Sequence, residues 1–201
     1  MELNFSEYLA LFFTALIFVG VLTPLVRKVA LRIEILDAPT ESHKTHKEAI
    51  PYLGGVAIII GTCLTTYLAI LVSGQASALS LASAVLIPAV LMGVIGLVDD
   101  IKKLSPWPRF IAQNLFGLVI AVILIATSTL GSPTGNTIID VAITTLWIVG
   151  ITNSINFFDN VDGGASGTVA ISSLFLFFLA LQGGQYAIAA LSLVLTGATT
   201  G

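Results

Sequence analysis

Residues 49–98 pass without one charged side chain, and no other feature narrows what this sequence can fold into as much. At about 1.5 Å of rise per residue, roughly 20 apolar residues cross the ~30 Å of bilayer hydrocarbon. That run is therefore long enough for two helical spans, divided at Ser73, Gly74 and Gln75. Further uncharged runs cover residues 8–26, 110–139, 141–158 and 163–201. The 110–139 run breaks across residues 131–136, and the last divides at Gln182, Gly183, Gly184 and Gln185. The expected fold class is all-α, a polytopic membrane helix bundle of about seven helices. Composition agrees: 56% of the 201 residues are hydrophobic and 9% charged, against about 25% charged in a soluble domain.

The first span is not read as a cleaved signal peptide, because its basic residues follow the apolar run, as a stop-transfer pattern has them. Lys and Arg occur in two places only, at Arg27, Lys28, Arg32, Lys44 and Lys47 and at Lys102, Lys103 and Arg109. Both loops are expected on the cytoplasmic side. Alternating the helices from there puts the segment after the fifth span on the same side and Asp140 on the other. The expected inner loops are about 27–49, 99–109 and 153–164. Cys63, the lone cysteine, makes neither a disulfide nor a metal site and reads as a small apolar filler.

The inner loops carry the chemistry. The first, "DAPTESHKTHKEAIPYLGG" (residues 37–55), groups His43, Lys44, His46 and Lys47 into a cationic cluster. It reads either as an ordinary positive-inside loop or as a phosphate site. In the second, "GLVDDIKKLSPWPRF" (96–110), Asp99 and Asp100 close an apolar run, and Pro106 and Pro108 stiffen the approach to Arg109. Adjacent carboxylates suit a magnesium ion, or a proton acceptor beside an ionised neighbour, although a solvated helix end has the same appearance. The third, "NSINFFDNVDGGASG" (153–167), repeats Asn153, Asn156 and Asp159 every three residues, with Asp162 one step on, before Gly163 and Gly164 break the helix. Such a row of oxygens along a helix face suits a hard cation or the edge of a nucleobase. Polar groups this close to bilayer depth are costly enough to be functional by default. Cations, a carboxylate pair and an Asn/Asp row on one membrane face call for a phosphate-bearing substrate and a metal.

These three segments, in this order, resemble the polyprenyl-phosphate N-acetylhexosamine-1-phosphate transferases, glycosyltransferase family 4. The second loop is similar to that family's Gly-x-x-Asp-Asp-x-x-x-Leu, the third to its Asn-x-x-Asn-x-x-Asp-x-x-Asp-Gly, and the first to its Asp-x-Pro, Arg-Lys-x-His and Pro-x-x-Gly-Gly elements. The wording around Pro51 and Ser105 leans toward the sugar-1-phosphate branch rather than the phospho-MurNAc-pentapeptide branch. The resemblance implies attack of a polyprenyl phosphate, undecaprenyl phosphate in a bacterial plasma membrane, on the β-phosphate of a UDP-N-acetylhexosamine. UMP is released, Mg²⁺ is required, and the active site faces the cytoplasm. It implies Asp99 and Asp100 as catalytic carboxylates that orient or deprotonate the attacking phosphate, and Asn156 and Asp159 as metal positions. Lys44, His46, Arg109, Asn153, Asp162 and Gly163 fall at substrate-binding positions. The partners implied are the lipid, the sugar nucleotide and the membrane, with no nucleic acid and with room for a homodimer.

Departures from the pattern accompany the likeness. His43 stands where the family has Arg, Asn160 replaces a Gly and Gly164 a Leu. The family's later Gly-Asp-x-Gly-Ser segment and His-containing loop have no counterpart. Residues 1–201 are accordingly expected to be the N-terminal portion of a single transmembrane transferase domain, inactive alone. The competing classes are an ion-coupled transporter, which needs ionisable groups near mid-bilayer and repeat symmetry, and an inactive remnant.

Overall fold

The computed structural model describes residues 3–33, 36–37, 50–51, 53–102, 105–159 and 161–201. Among these, seven helices follow in order: α1 (Phe5–Arg32), α2 (Gly54–Ser73), α3 (Ala76–Lys102), α4 (Pro106–Ala126), α5 (Thr137–Phe158), α6 (Gly164–Gln182) and α7 (Tyr186–Thr200). The first six are long and apolar enough to cross a membrane, so this is a polytopic integral membrane protein of all-α class. The breaks fall where Gly and polar residues interrupt the charge-free runs, at 74–75 and 183–185. Charged positions prove helical where loops were expected: α1 carries Arg27, Lys28 and Arg32, and α3 carries Asp99, Asp100 and Lys102. A helix needs apolar residues only across the hydrocarbon and extends into the polar interface with charged ones. A short antiparallel pair, β1 (Leu36–Asp37) and β2 (Ile50–Pro51), sets Leu36 opposite Pro51 and Asp37 opposite Ile50.

The chain packs as two compact units, Met1–Ala82 with Phe158–Gly201, and Ser83–Phe157. In the first, α1 begins with a capping box: Glu7 N–H donates to Asn4 Oδ1 (2.9 Å) and Asn4 N–H to Glu7 Oε2 (2.8 Å). Small residues decide its packing. Gly61 of α2 leaves room for Val19 of α1, while Gly197 and Gly201 lie against the carbonyls of Phe12 and Leu16. The four-residue spacing matches on both sides, so the α7 backbone rests directly on α1, the close approach that a small-xxx-small pattern permits. Ala15, Val19, Ala57, Val194 and Ala198 fill this contact. The α6–α7 side holds Tyr8 edge-on to Phe177 (5.2 Å between ring centroids) and a buried Ser173–Thr196 hydroxyl bond of 2.9 Å. Hydrogen bonds between membrane helices contribute about 0.6 kcal/mol on average. On α1, Phe5, Leu9, Phe13, Ile17, Val21, Leu25 and Val29 remain exposed at every fourth position. In lipid such a stripe costs nothing, because hydrocarbon replaces protein as the neighbour.

In the second unit, α4 and α5 meet at Gly117, where a Cβ would sit 3.1 Å from Val149 Cγ2. α5 is capped by Asn136, whose Oδ1 accepts from the N–H groups of Ile138 (3.0 Å) and Ile139 (3.3 Å). One turn on, the buried Asp140 carboxylate accepts from Ser132 Oγ and from Thr134 N–H (3.0 Å) and Oγ1–H (2.7 Å). Asp140 thus ties the α4–α5 connection to the start of α5. Asn153 lies about 20 Å further along that helix.

Candidate functional site

The site is built at the end of the second unit where α3 stops, α4 starts and α5 approaches its last turn. Asp99 and Asp100 occupy the last two turns of α3. A helix C-terminus carries partial negative charge, so carboxylates there oppose the macrodipole and are disfavoured by about 0.3–1 kcal/mol each at the surface. Fold stability alone gives no reason to place two of them at this point.

α4 supplies a compensating cation. Ser105 adopts an extended conformation before the helix and Pro106 takes a first-turn position, where proline's missing N–H costs no hydrogen bond and its φ already suits the helix. Pro106 and Pro108 therefore open α4 instead of forming a turn ahead of it, and Arg109 falls in the first turn. Its Nη1 donates to Asp99 Oδ2 at 3.2 Å. The Asp99 side chain is 13% exposed and that of Arg109 33%. Asp100 is half-buried.

α5 brings the amide groups. Asn153 is half-buried; its Nδ2 donates to Gln113 Oε1 of α4 and to the Val149 carbonyl, each at 2.8 Å. Pro106, Trp107, Arg109, Phe110 and Asn153 line a hollow of about 280 Å³. Asn156 stands exposed three residues beyond Asn153, on the same helix face. Gln113 was not among the residues singled out from the sequence. The signal was present, since an uncharged polar side chain deep in an apolar run, one turn after Arg109, rarely lacks a partner at membrane depth.

The remaining expected positions belong to the first unit or lie outside the described residues. α5 ends at Phe158, so Asn153 and Asn156 are the helical members of the row, and Asp159 and Asp162 occupy the exposed turn that follows. Gly163, at φ +68°, caps α6 in the left-handed region, which a side chain disfavours. Gly164 is equally constrained, because a Cβ there would press on the Phe158 carbonyl at 2.5 Å. Lys44 and His46, with His43, Lys47 and Asn160, lie outside the described residues.

In kind, the carboxylate oxygens of Asp99 and Asp100 and the amide oxygens of Asn153 and Asn156 in the second unit suit a hard divalent cation, as by themselves do the carboxylates of Asp159 and Asp162 in the first. Among the described residues no three His, Cys, Asp or Glu side chains gather into a metal site.

Comparison with known proteins adds the lineage. The model for glycosyl transferase family 4 matches residues 82–201. The chain is 32% identical over 199 residues to a probable undecaprenyl-phosphate N-acetylglucosaminyl 1-phosphate transferase of Bacillus subtilis (strain 168), covering 94% of this chain and 53% of that protein. It is 30% identical over 207 residues to a decaprenyl-phosphate N-acetylglucosaminephosphotransferase of Mycobacterium tuberculosis (strain ATCC 25618 / H37Rv), covering 94% and 51%. With a phospho-N-acetylmuramoyl-pentapeptide-transferase of Streptococcus equi subsp. zooepidemicus (strain H70), identity is 29% over 175 residues, covering 79% and 52%. The chain spans about half the length of these curated relatives. No solved structure matches it.

Proposed function

This chain belongs to glycosyl transferase family 4, and from that premise we propose that the full-length protein transfers N-acetylhexosamine 1-phosphate from a UDP-sugar to polyprenyl phosphate. The acceptor is undecaprenyl phosphate of a bacterial plasma membrane, and the product serves cell-wall or surface polysaccharide synthesis. A phosphate oxygen of the lipid attacks the sugar-bearing β-phosphorus. The bond from that phosphorus to the bridging oxygen breaks, and UMP leaves with the bridging oxygen.

The observation that carries the reading is the Asp99–Arg109 pair beside the hollow lined by Asn153. Bringing two phosphate groups together concentrates negative charge, and fixed cations at that point lower the barrier more than they would in water. Arg109 takes a pyrophosphate oxygen, a role supported by its partial exposure, while Asp99 holds the guanidinium in orientation. Asp99 and Asp100 orient or deprotonate the lipid phosphate, which travels at the depth where α3 ends. Asn156 and Asp159 would hold Mg²⁺, with Asp162 on the substrate side; the ion would supply neutralisation of the pyrophosphate and polarisation of the phosphoryl oxygens. The basic residues of the same loops set this end toward the cytoplasm, where sugar nucleotides are dissolved.

The test is UMP release by the full-length protein in membranes supplied with UDP-GlcNAc, undecaprenyl phosphate and Mg²⁺. Release that depends on both substrates and stops with EDTA supports the reading. No release with any UDP-N-acetylhexosamine overturns it, and turnover of UDP-MurNAc-pentapeptide alone moves the protein to the pentapeptide branch.

A further inference from the structure

The Asn153 side chain is fixed by two partners on the same nitrogen. The Val149 carbonyl can only accept, so it must face Nδ2, and the second Nδ2 proton is directed at Gln113 Oε1. This leaves Oδ1 as the amide atom without a protein partner among the described residues, in a side chain that lines the hollow beside Arg109. Gln113 itself is 6% exposed, too enclosed to be a substrate contact. It lies one turn from Gly117, where an added Cβ would sit 3.1 Å from the Val149 side chain of α5, so its own turn of α4 runs beside α5.

We propose that Gln113 is a positioning residue, which by accepting from Asn153 Nδ2 holds the Asn153 carbonyl oxygen toward the hollow, where it receives an electropositive group of the bound sugar-nucleotide complex. That group is either an N–H or O–H of the sugar or the divalent cation; both require an acceptor at the same point. A single bond to Val149 leaves the amide free to swing, whereas two bonds leave one orientation. The inference rests on the transferase reading for what the oxygen receives and for its kinetic arm, and not for the fixed orientation of the Asn153 amide.

Two near-isosteric substitutions separate positioning from packing. Gln113→Glu keeps an acceptor for Asn153, and Gln113→Met removes it while suiting an enclosed apolar site better. A packing role predicts that Met is tolerated and Glu damaging; positioning predicts the reverse order for activity. In the full-length enzyme, Q113M is expected to lose on the order of 10- to 100-fold in kcat/KM, the range that loss of a fixed contact geometry reaches, with Q113E close to the parent. A raised KM for the UDP-sugar identifies a sugar donor at Oδ1, and a raised Mg²⁺ requirement at unchanged KM identifies the cation. If Q113M does not accumulate, Gln113→Ser, too short to reach Nδ2, takes its place. The second readout needs no turnover: in protein labelled with ¹⁵N-asparagine, the Asn153 side-chain NH₂ protons should exchange slowly in the parent and Q113E and rapidly in Q113M. Equal exchange in all three, or full activity in Q113M, overturns the proposal. An inactive parent with the exchange pattern intact overturns the transferase reading and leaves the positioning in place.

Discussion

Arg109 reaches back across the α3–α4 connection to hold Asp99, with a single 3.2 Å bond from Nη1 to Oδ2. The pair is partly open to solvent, so its worth to the fold is small, about 0–1 kcal/mol. Its worth to catalysis is a separate quantity. Asp99→Asn should leave the amount of folded protein in the membrane nearly unchanged while lowering UMP release by on the order of 10²-fold or more, the usual contribution of a positioned acid–base group. Measuring both on the same preparation checks this. Parent-like turnover in the Asn variant removes Asp99 from the chemistry.

The turn after α5 gives a second expectation. A Cβ at Gly164 meets the Phe158 carbonyl, and Gly163 already has positive φ. Gly164→Ala should therefore shift the turn that carries Asp159 and Asp162. It is expected to raise the Mg²⁺ concentration for half-maximal activity and to destabilise the protein by about 1–3 kcal/mol. A metal titration of parent and variant decides; unchanged half-saturation separates this turn from metal binding.

The contrast between those two regions shows what the sequence made legible. Span boundaries at Gly74 and at Gly183 and Gly184 could be read because an absence of charge is a strong local signal, and glycine next to polar residues ends it. The closeness of Arg109 to the acidic pair followed from a separation of only ten residues from Asp99, with two prolines between them. The Gln113–Asn153 bond could not be read, because its partners are forty residues apart and only the packing of α4 on α5 at Gly117 brings them together. The contacts of Gly197 and Gly201 with α1 were hidden for the same reason. Small residues announce a close approach without naming the partner.

Those glycines support a third expectation. Gly197→Val should push α7 off the Phe12 carbonyl and cost about 1–3 kcal/mol as overpacking, seen as a lower Tm in detergent. Gly150→Ala is the control. Beyond its own stretch of helix backbone, no atom lies within 4 Å of the added methyl, and a helix-interior glycine is worth about 0.5–1 kcal/mol less than alanine, so its Tm should hold or rise.

Asp140 tests the distance between stability and function. Asp140→Ala leaves the Ser132 and Thr134 donors without their acceptor, at a cost of about 1–3 kcal/mol. The lesion lies about 20 Å along α5 from Asn153. A lower Tm with unchanged kcat per folded molecule is the expected result. A fall in kcat at temperatures well below Tm would mean that α5 transmits the disturbance to the site.

Because α7 seats on α1, two helices separated by five others in the chain must find each other. The Phe12 and Leu16 carbonyls meet their partner glycines only after five intervening helices have been synthesised, so α1 waits in the bilayer with that surface against lipid. Such long sequence separation slows closure. During membrane insertion, the interval before α7 emerges leaves α1 open to capture by other helices or by quality-control proteases.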